Sequence, residues 1–157
     1  MVQKKILVSE GVRQLFASQD GEFVLENHIG HLLRKASQRA SEIFQHVMGE
    51  YDVTPTQFSA LIKLHDEGEL SQNVLGRLTA MDPATILGVV SRLKRRGLVA
   101  SKLDPDDGRR ILLRLTDEGV AMATNMRLVA ANLSSETLAP LSKAECQTFI
   151  RLLQKLA

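Results

Sequence analysis

Tryptophan is absent from this chain of 157 residues, and only one cysteine, one tyrosine and five phenylalanines are present. With a single thiol, Cys146, the chain has no internal disulfide framework, so its fold must depend on packing. Aromatic residues supply only 4% of the sequence, whereas all hydrophobic residues together supply 44%. The sequence therefore predicts an aliphatic core large enough for one domain, or for one domain with extensions.

Long apolar runs are also missing. No run approaches the roughly 18 residues of a membrane span, and residues 1–20 lack the apolar core of a signal peptide. Gly11 and Gly21 interrupt this first stretch, so residues 1–25 are predicted to form an N-terminal arm. The single cysteine suits a reducing compartment, and we expect a cytoplasmic protein with no membrane partner.

Catalytic patterns are missing as well. The sequence shows no nucleophile–base pair, no glycine-rich phosphate loop and no cluster with metal-ligand spacing. The sequence therefore predicts that the protein is not an enzyme, and it predicts neither a cofactor nor a metal site.

Charge is unevenly distributed along the chain. The net charge of the whole chain is only +2, but residues 88–114 carry eight basic and three acidic side chains. Such a concentration of positive charge favours a polyanionic partner. A solvated basic surface without a partner is the alternative.

Several segments have the patterns of amphipathic helices. Apolar residues recur at steps of three and four between residues 26 and 49, which predicts one long helix. Thr54-Pro55-Thr56-Gln57 has the residues of a helix start, and that helix is predicted to end near Gly68. Thr116 and the capping box that begins at Ser142 predict two further helices.

The centre of the chain predicts a helix-turn-helix. Ser71 caps a short helix that runs to about Thr79. Asp82-Pro83 begins a second helix, which runs to Arg96 and ends at Gly97. Two helices joined by so short a turn, the second with a basic end, are typical of this motif.

A β-hairpin follows directly. Residues 98–103 and Ile111–Leu115 have the length and composition of strands, and the segment between them is Asp-Pro-Asp-Asp-Gly-Arg-Arg. Asp, Pro and Gly supply the turn, and arginine at a projecting tip suits phosphates or a narrow minor groove. A helix-turn-helix followed by a hairpin is a winged helix, so the predicted fold is mainly α with a small β-hairpin wing.

Three motifs occur in order within these elements. They are Arg96-Gly97-Leu98-Val99, Asp104-x-x-Asp107-x-Arg109-Arg110 and Leu115-Thr116-x-x-Gly119, and Gly30-His31-Leu32-Leu33-Arg34 precedes them. At these motifs the chain resembles the MarR family of bacterial transcription regulators over residues 26–156. The resemblance implies a winged helix-turn-helix with N- and C-terminal dimerisation helices. It places a dimerisation helix at residues 26–50, the DNA-binding region at 51–116 and the C-terminal dimerisation helices at 117–157.

The resemblance also implies a function. A member of this family is expected to be a homodimeric, sequence-specific DNA-binding regulator that recognises a pseudo-palindromic operator in double-stranded DNA. The chain is expected to be a repressor released by a small aromatic acid or its CoA thioester. The alternative is a winged helix that associates with proteins and has no ligand-controlled DNA binding.

Predicted DNA contacts fall on three elements. The helix from Asp82 to Arg96 is the predicted recognition helix, whose N-terminal residues are expected to face base edges. The start of the preceding helix is expected to meet phosphate, and the hairpin tip to meet the minor groove or phosphate. The predicted contact residues are Ser71, Gln72, Asn73, Pro83, Ala84, Thr85, Leu87, Gly88, Arg92, Arg95, Asp107, Arg109 and Arg110.

Individual roles differ within the predicted recognition helix. Thr85 is expected to hydrogen-bond a base edge and touch a thymine methyl group, with capping of its own helix as the alternative. The resemblance to the family implies a Thr-x-x-Arg pattern at this point, but this chain has Gly88 in place of the arginine. Direct guanine readout from position 88 is therefore in doubt. Lys94 and Arg96 are expected to be solvated.

The hairpin tip is expected to divide its roles. Arg109 is predicted to enter the minor groove, with Asp107 pairing to it and fixing its direction. A local Asp–Arg pair unrelated to DNA is the alternative. Arg110 is expected to meet phosphate or to fold back.

An effector site is predicted less directly. His28, His31 and Arg34 follow steps of three on the first long helix, and a cation beside histidines suits a carboxylate. Polar residues at the dimer base are the alternative. The predicted apolar walls are Phe58, Met122 and Met126, with core packing as their alternative.

Overall fold

A computed structural model of the chain describes residue 16, residues 22–108 and residues 110–156. The predicted arm lies mostly outside the described residues, and so does Arg109, the predicted minor-groove contact. The chain divides into two compact units, Met1–Ser41 and Glu42–Ala157.

The first unit holds a short 3-10 helix, Leu25–Asn27, and most of helix α1, Ile29–Met48. Helix α1 begins three residues later than the apolar pattern predicted, because the chain is extended at His28, between the 3-10 turn and the helix. The ring of His28 lies against the ring of Phe23, with 5.6 Å between the centroids.

The second unit contains the end of α1 and all the remaining elements. In chain order these are a 3-10 turn at Gly49–Tyr51, α2 at Pro55–Glu67, β1 at Leu70–Ser71, α3 at Gln72–Leu78, α4 at Pro83–Arg95, β2 at Val99–Leu103, β3 at Ile111–Leu115, α5 at Asp117–Thr137 and α6 at Lys143–Leu153. The predicted helix-turn-helix is therefore α3 and α4, and the predicted wing is β2 and β3.

Helix starts lie where the capping signals predicted them. At α2, the backbone N–H of Thr54 donates to Gln57 Oε1 at 2.9 Å, and the N–H of Gln57 donates to Thr54 Oγ1 at 3.3 Å. Ser142 and Glu145 form the same reciprocal box at α6. Each box satisfies N–H groups that the first helical turn leaves without a partner.

The core of the second unit is aliphatic, as the composition predicted. Its largest fully buried side chains are Met48, Leu61, Leu64, Leu75, Val89, Leu93, Leu98 and Met126. The rings of Phe44 and Phe58 meet edge to face at its border, with 5.6 Å between centroids. Helices α1 to α5 and the sheet all contribute to this core, which holds α4 in a fixed position beside the wing.

The sheet is antiparallel and has the strand order β1-β3-β2. In the wing, Val99 lies opposite Leu115 and Leu103 lies opposite Ile111. Strand β1 was not predicted, because a strand of two residues is too short to show an alternating pattern. Leu70 of β1 lies opposite Leu113, so β1 joins the start of the helix-turn-helix to the wing.

Two of the sequence motifs meet where the wing joins α5. Gly97 has a φ of +74°, a conformation that glycine adopts without strain. Thr116 Oγ1 donates to the Gly97 carbonyl at 2.6 Å, and the Thr116 N–H donates to the Leu98 carbonyl at 3.1 Å. A Cβ atom at Gly119 would overlap the Leu98 carbonyl oxygen, so only glycine fits there.

Candidate DNA interface

Helix α4 has one buried face and one exposed face. Its buried side chains are Ile86, Val89, Val90 and Leu93. On the other side lie Ala84, Leu87, Arg92 and Arg95, which are exposed, and Gly88, which is half-exposed. Leu87 is 58% exposed, which is high for a large apolar side chain on an ordered helix. The predicted DNA contacts of this helix therefore share one accessible face.

The N-terminus of α4 is capped by a carboxylate. Asp82 Oδ1 accepts hydrogen bonds from the N–H groups of Ala84 and Thr85, each at 3.0 Å, and Thr85 Oγ1 donates to Asp82 Oδ2 at 2.5 Å. The Thr85 hydroxyl and then its backbone N–H are the main causes that lower the pKa of Asp82 below 3.8.

This cap limits the hydrogen bonds that the Thr85 side chain can form with a base. Because its hydroxyl proton is directed at Asp82, the structure places Thr85 in the capping role that was the alternative. The hydroxyl oxygen keeps lone pairs, and the methyl group is separate from the cap. Its predicted contact with a base edge is thus narrowed to accepting a hydrogen bond and touching a methyl group.

The start of α3 faces a concave region of about 480 Å³. Ser71, Gln72 and Asn73 line one side, and Lys94 and Arg110 line another. The structure thus brings together four residues predicted to meet DNA, three on the helix-turn-helix and one on the wing, beside a further cation.

Lys94 and Arg96 correct one prediction, because neither is simply solvated. Lys94 Nζ donates to Ser101 Oγ at 2.8 Å, which ties α4 to β2. The Arg96 guanidinium donates to the carbonyl oxygen of Tyr51 at 3.0 Å and to that of Asp52. Sequence reasoning missed this role because the partners are backbone atoms more than 40 residues away and have no side-chain signature.

At the wing, Arg110 folds back. Its Nε lies 3.6 Å from Asp104 Oδ2, and its backbone N–H donates to the Asp107 carbonyl at 2.8 Å. This contact agrees with the second of the two alternatives predicted for Arg110, and a contact between Arg110 and phosphate stays a prediction. The predicted pairing of Asp107 with Arg109 stays a prediction, because Arg109 lies outside the described residues.

A second concave region, of about 650 Å³, lies at the C-terminal end of α4. Arg92, Arg95 and Arg96 line it together with Asp52 and Gln57. Within residues 22–108 and 110–156, no hydrogen bond or ion pair joins the side chain of Arg92 or Arg95 to another group. These two arginines are therefore available to an anionic ligand.

The residues predicted to bind an effector belong to different units. His28, His31 and Arg34 lie in the first unit, where Arg34 Nη1 donates to Gln38 Oε1 at 3.2 Å. In the second unit the candidate apolar walls pack against the core. Phe58 and Met122 are half-buried there, and Met126 is fully buried. Their placement agrees with the alternative of core packing, and their ligand role stays a prediction.

Among the described residues, no helix combines the length and apolarity needed to cross a membrane.

Comparison with known proteins agrees with this geometry. The model of the MarR family matches residues 51–110, which span α2 to the wing tip. The HTH-type transcriptional repressor NicR of Pseudomonas putida is 41% identical over 128 residues, which cover 82% of this chain and 81% of NicR.

Solved structures are similar over the same length. A probable transcriptional regulator from Pseudomonas aeruginosa is 46% identical, with a TM-score of 0.80, and covers 85% of this chain and 100% of its own. BpsR of Bordetella bronchiseptica, whose DNA binding is regulated by 6-hydroxynicotinic acid, is 37% identical, with a TM-score of 0.81 and coverage of 85% and 96%. The chain therefore belongs to the MarR family and is a winged helix-turn-helix, DNA-binding transcriptional regulator, not an enzyme.

Proposed function

We propose that the protein is a homodimeric repressor that binds a pseudo-palindromic operator and leaves it when a small aromatic acid binds. The observation that carries the DNA-binding part is the exposed face of α4 beside the wing, where Arg92 and Arg95 have no side-chain partner among the described residues. In this mode α4 enters the major groove and the wing reaches the neighbouring minor groove. Phosphate contacts from Ser71, Gln72 and Asn73 set the register.

The helices after the wing support a dimer. Helix α6 has no buried residue, although its sequence is amphipathic. Its exposed large apolar side chains, with one neighbour just beyond the helix, are Phe149, Ile150, Leu152, Leu153 and Leu156. A contiguous apolar surface of this kind marks a protein interface. Pairing it with the same surface of a second copy gives a two-fold dimer with two recognition helices.

Dimerisation gives the operator its expected form. Two recognition helices related by a two-fold axis bind half-sites that are inverted copies, with centres about 34 Å apart, one helical turn of DNA. A ligand that favours a dimer with a different separation of these helices weakens binding in proportion to its preference for that dimer. Release therefore needs no direct competition between ligand and DNA.

The effector is proposed to be a free heteroaromatic acid. BpsR, which is 37% identical to this chain, has its DNA binding regulated by 6-hydroxynicotinic acid. In this chain, His28, His31 and Arg34 offer ring N–H groups and a guanidinium to a carboxylate. The Arg34 side chain donates only one recorded hydrogen bond within the described residues, to Gln38, so other N–H groups of its fork are available.

Titration of DNA binding tests this proposal. An operator is first selected from random duplexes about 30 bp long, which accommodate two half-sites one turn apart. Fluorescence anisotropy then follows its release as 6-hydroxynicotinic acid, or a CoA thioester of an aromatic acid, is added. We expect the free acid to release the DNA and to raise the melting temperature of the DNA-free protein, because it binds the folded state.

Arg34→Ala and its control locate the acid. Arg34→Ala should bind the operator as the wild type does and lose release by the acid. Lys35→Ala removes the same charge from the neighbouring position of α1 and should be released normally. Failure of the wild type to bind any duplex contradicts the repressor, and normal release of Arg34→Ala contradicts the proposed acid site.

A further inference from the structure

Gly88 leaves a gap on the exposed face of α4. Glycine within a helix is less stable than alanine, and nothing in the core requires a small residue at this half-exposed position. The structure shows which side chain lies over this position.

The guanidinium of Arg92 lies over Gly88. A Cβ atom built on Gly88 would be 3.3 Å from Arg92 Nη2 and 4.0 Å from its Cζ, so an alanine there would shift the guanidinium by a few tenths of an ångström. Side chains on an α-helix lean toward its N-terminus, which directs residue i+4 over residue i. The charged end of Arg92 therefore reaches about one turn closer to the start of α4 than its own Cα atom.

No group in the described part of the chain forms a hydrogen bond or an ion pair with the Arg92 guanidinium. Lys94 and Arg96, on the same helix, are bound to Ser101 and to backbone carbonyls. Arg92 has no such partner within residues 22–108 and 110–156. Its five N–H donors are therefore free for a ligand at the level of residue 88.

We propose that Arg92 reads a guanine in each half-site, and that Gly88 is the gap that lets it do so. The N-terminal part of a recognition helix meets base edges. Although Arg92 belongs to the next turn of α4, its guanidinium extends back toward that part. An arginine fork donates two parallel hydrogen bonds to guanine O6 and N7. This inference rests on the proposed insertion of α4 into the major groove.

Single-atom changes in the DNA test the proposal. In the operator selected in vitro, each guanine of one half-site is replaced in turn by 7-deazaguanine, which lacks the N7 acceptor but keeps base pairing and phosphate. We expect one such replacement to weaken wild-type binding about tenfold, within the range for one bidentate contact. Arg92→Ala should lose affinity for the unmodified operator and show no further loss with the modified one.

Arg95→Ala is the matched control. Arg95 has the same charge and is also exposed, and its side chain has no partner among the described residues, but it lies three residues farther along α4. This variant should keep the full penalty for 7-deazaguanine. Its overall affinity should fall with a shallower dependence on salt, as expected for a phosphate contact.

Gly88→Ala tests the gap itself. Because alanine favours the helix, its melting temperature should rise, while displacement of the Arg92 fork should reduce the penalty for 7-deazaguanine severalfold. A purely structural glycine would change stability and leave guanine dependence untouched, which would contradict the proposal.

Three further results would contradict the assignment of Arg92 to a guanine. A selected operator without guanine in its half-sites, or an Arg92→Ala variant that keeps the 7-deazaguanine penalty, overturns the assignment. A uniform loss across all operators with a shallower salt dependence makes Arg92 a phosphate contact instead. If the wild type binds no duplex at all, the proposed DNA mode itself fails, which is a distinguishable result.

Discussion

Asp82 and Thr54 cap two helices of the same domain with different chemistry. The α4 cap accepts its hydrogen bonds on a carboxylate, whereas the α2 cap uses a hydroxyl and the amide of Gln57. Thr85 holds the pKa of Asp82 below 3.8, so folding favours the ionised form of this carboxyl group. The contribution of Asp82 to stability is therefore present above that value and is lost as the pH falls through the lowered pKa.

The difference between the two caps gives a pH prediction. Asp82→Ala should be less stable than the wild type at about pH 7, and this difference in stability should shrink in an acidic buffer, once the pH has fallen through the lowered pKa of the wild-type carboxyl group. Urea unfolding at each pH measures both values. Thr54→Ala is the control, because its box has no ionisable group, and its cost of about 1 kcal/mol should be similar at both pH values. A gap for Asp82→Ala that stays constant with pH would count against the carboxylate cap.

Residue-level prediction succeeded where the chemistry was local. The caps at Thr54, Asp82 and Ser142 could be read directly, because donor and acceptor lie within three residues of each other. The partners of Arg96 and the position of the Arg92 guanidinium could not, since both depend on where a long side chain turns after folding. The sequence alone therefore could not predict the contacts of these two arginines.

Among the elements, the wing and α5 are joined at an unusually tight point. Gly119 lies in the first turn of α5, directly against the Leu98 carbonyl, while Thr116 binds the carbonyls of Gly97 and Leu98. The Leu-Thr-x-x-Gly motif is thereby explained by sterics and capping, since the helix must pass over the start of β2. The position of the wing depends on this approach.

Gly119→Ala should therefore be strongly destabilising. The new Cβ atom would overlap the backbone carbonyl of Leu98, which cannot rotate away as a side chain can. We therefore expect the free energy of unfolding to fall by about 3 kcal/mol, at the upper end of the range for overpacking. Gly49→Ala is the matched control, because nothing lies within 4 Å of a Cβ atom there, and its stability should stay close to that of the wild type. Chemical denaturation of both variants measures the difference; equal stabilities would contradict the steric account.

Element-level prediction was limited mainly by length. The helices after Thr54, Ser71, Asp82, Thr116 and Ser142 start at their predicted caps, because apolar period and capping residue agree. Strand β1 was missed because two residues carry no period, and its pairing with β3 arises only when the helix-turn-helix packs on the wing. Such long-range pairing leaves no local signal in a sequence.

At the scale of the whole molecule, the apolar face of α6 is a feature that a single chain does not account for. Exposure of these apolar side chains to water is unfavourable in free energy, and burying them against a second copy would remove that unfavourable term. The proposed operator has two half-sites, so the strength of DNA binding is expected to depend on this contact.

Leu153→Glu tests this dependence. A charge on the apolar face should convert the proposed dimer to a monomer, since an unpaired buried carboxylate is unfavourable. Loss of the second half-site should weaken operator binding about 100-fold. Light scattering after size exclusion and anisotropy measure the two effects. Gln147→Glu, which adds the same charge on the polar side of α6, should remain dimeric and bind normally. A dimeric Leu153→Glu variant would reject this interface.

The gap at Gly88 also has an evolutionary consequence. A substitution there changes a surface position of α4 and disturbs none of the core side chains, which lie on the opposite face. If Arg92 reads a guanine across Gly88 as proposed, duplicated copies of this regulator could acquire new operator preferences through one amino-acid change, without first gaining compensating stability. Since alanine at this site is expected to favour the helix, the first step away from glycine would alter operator recognition without a cost in stability.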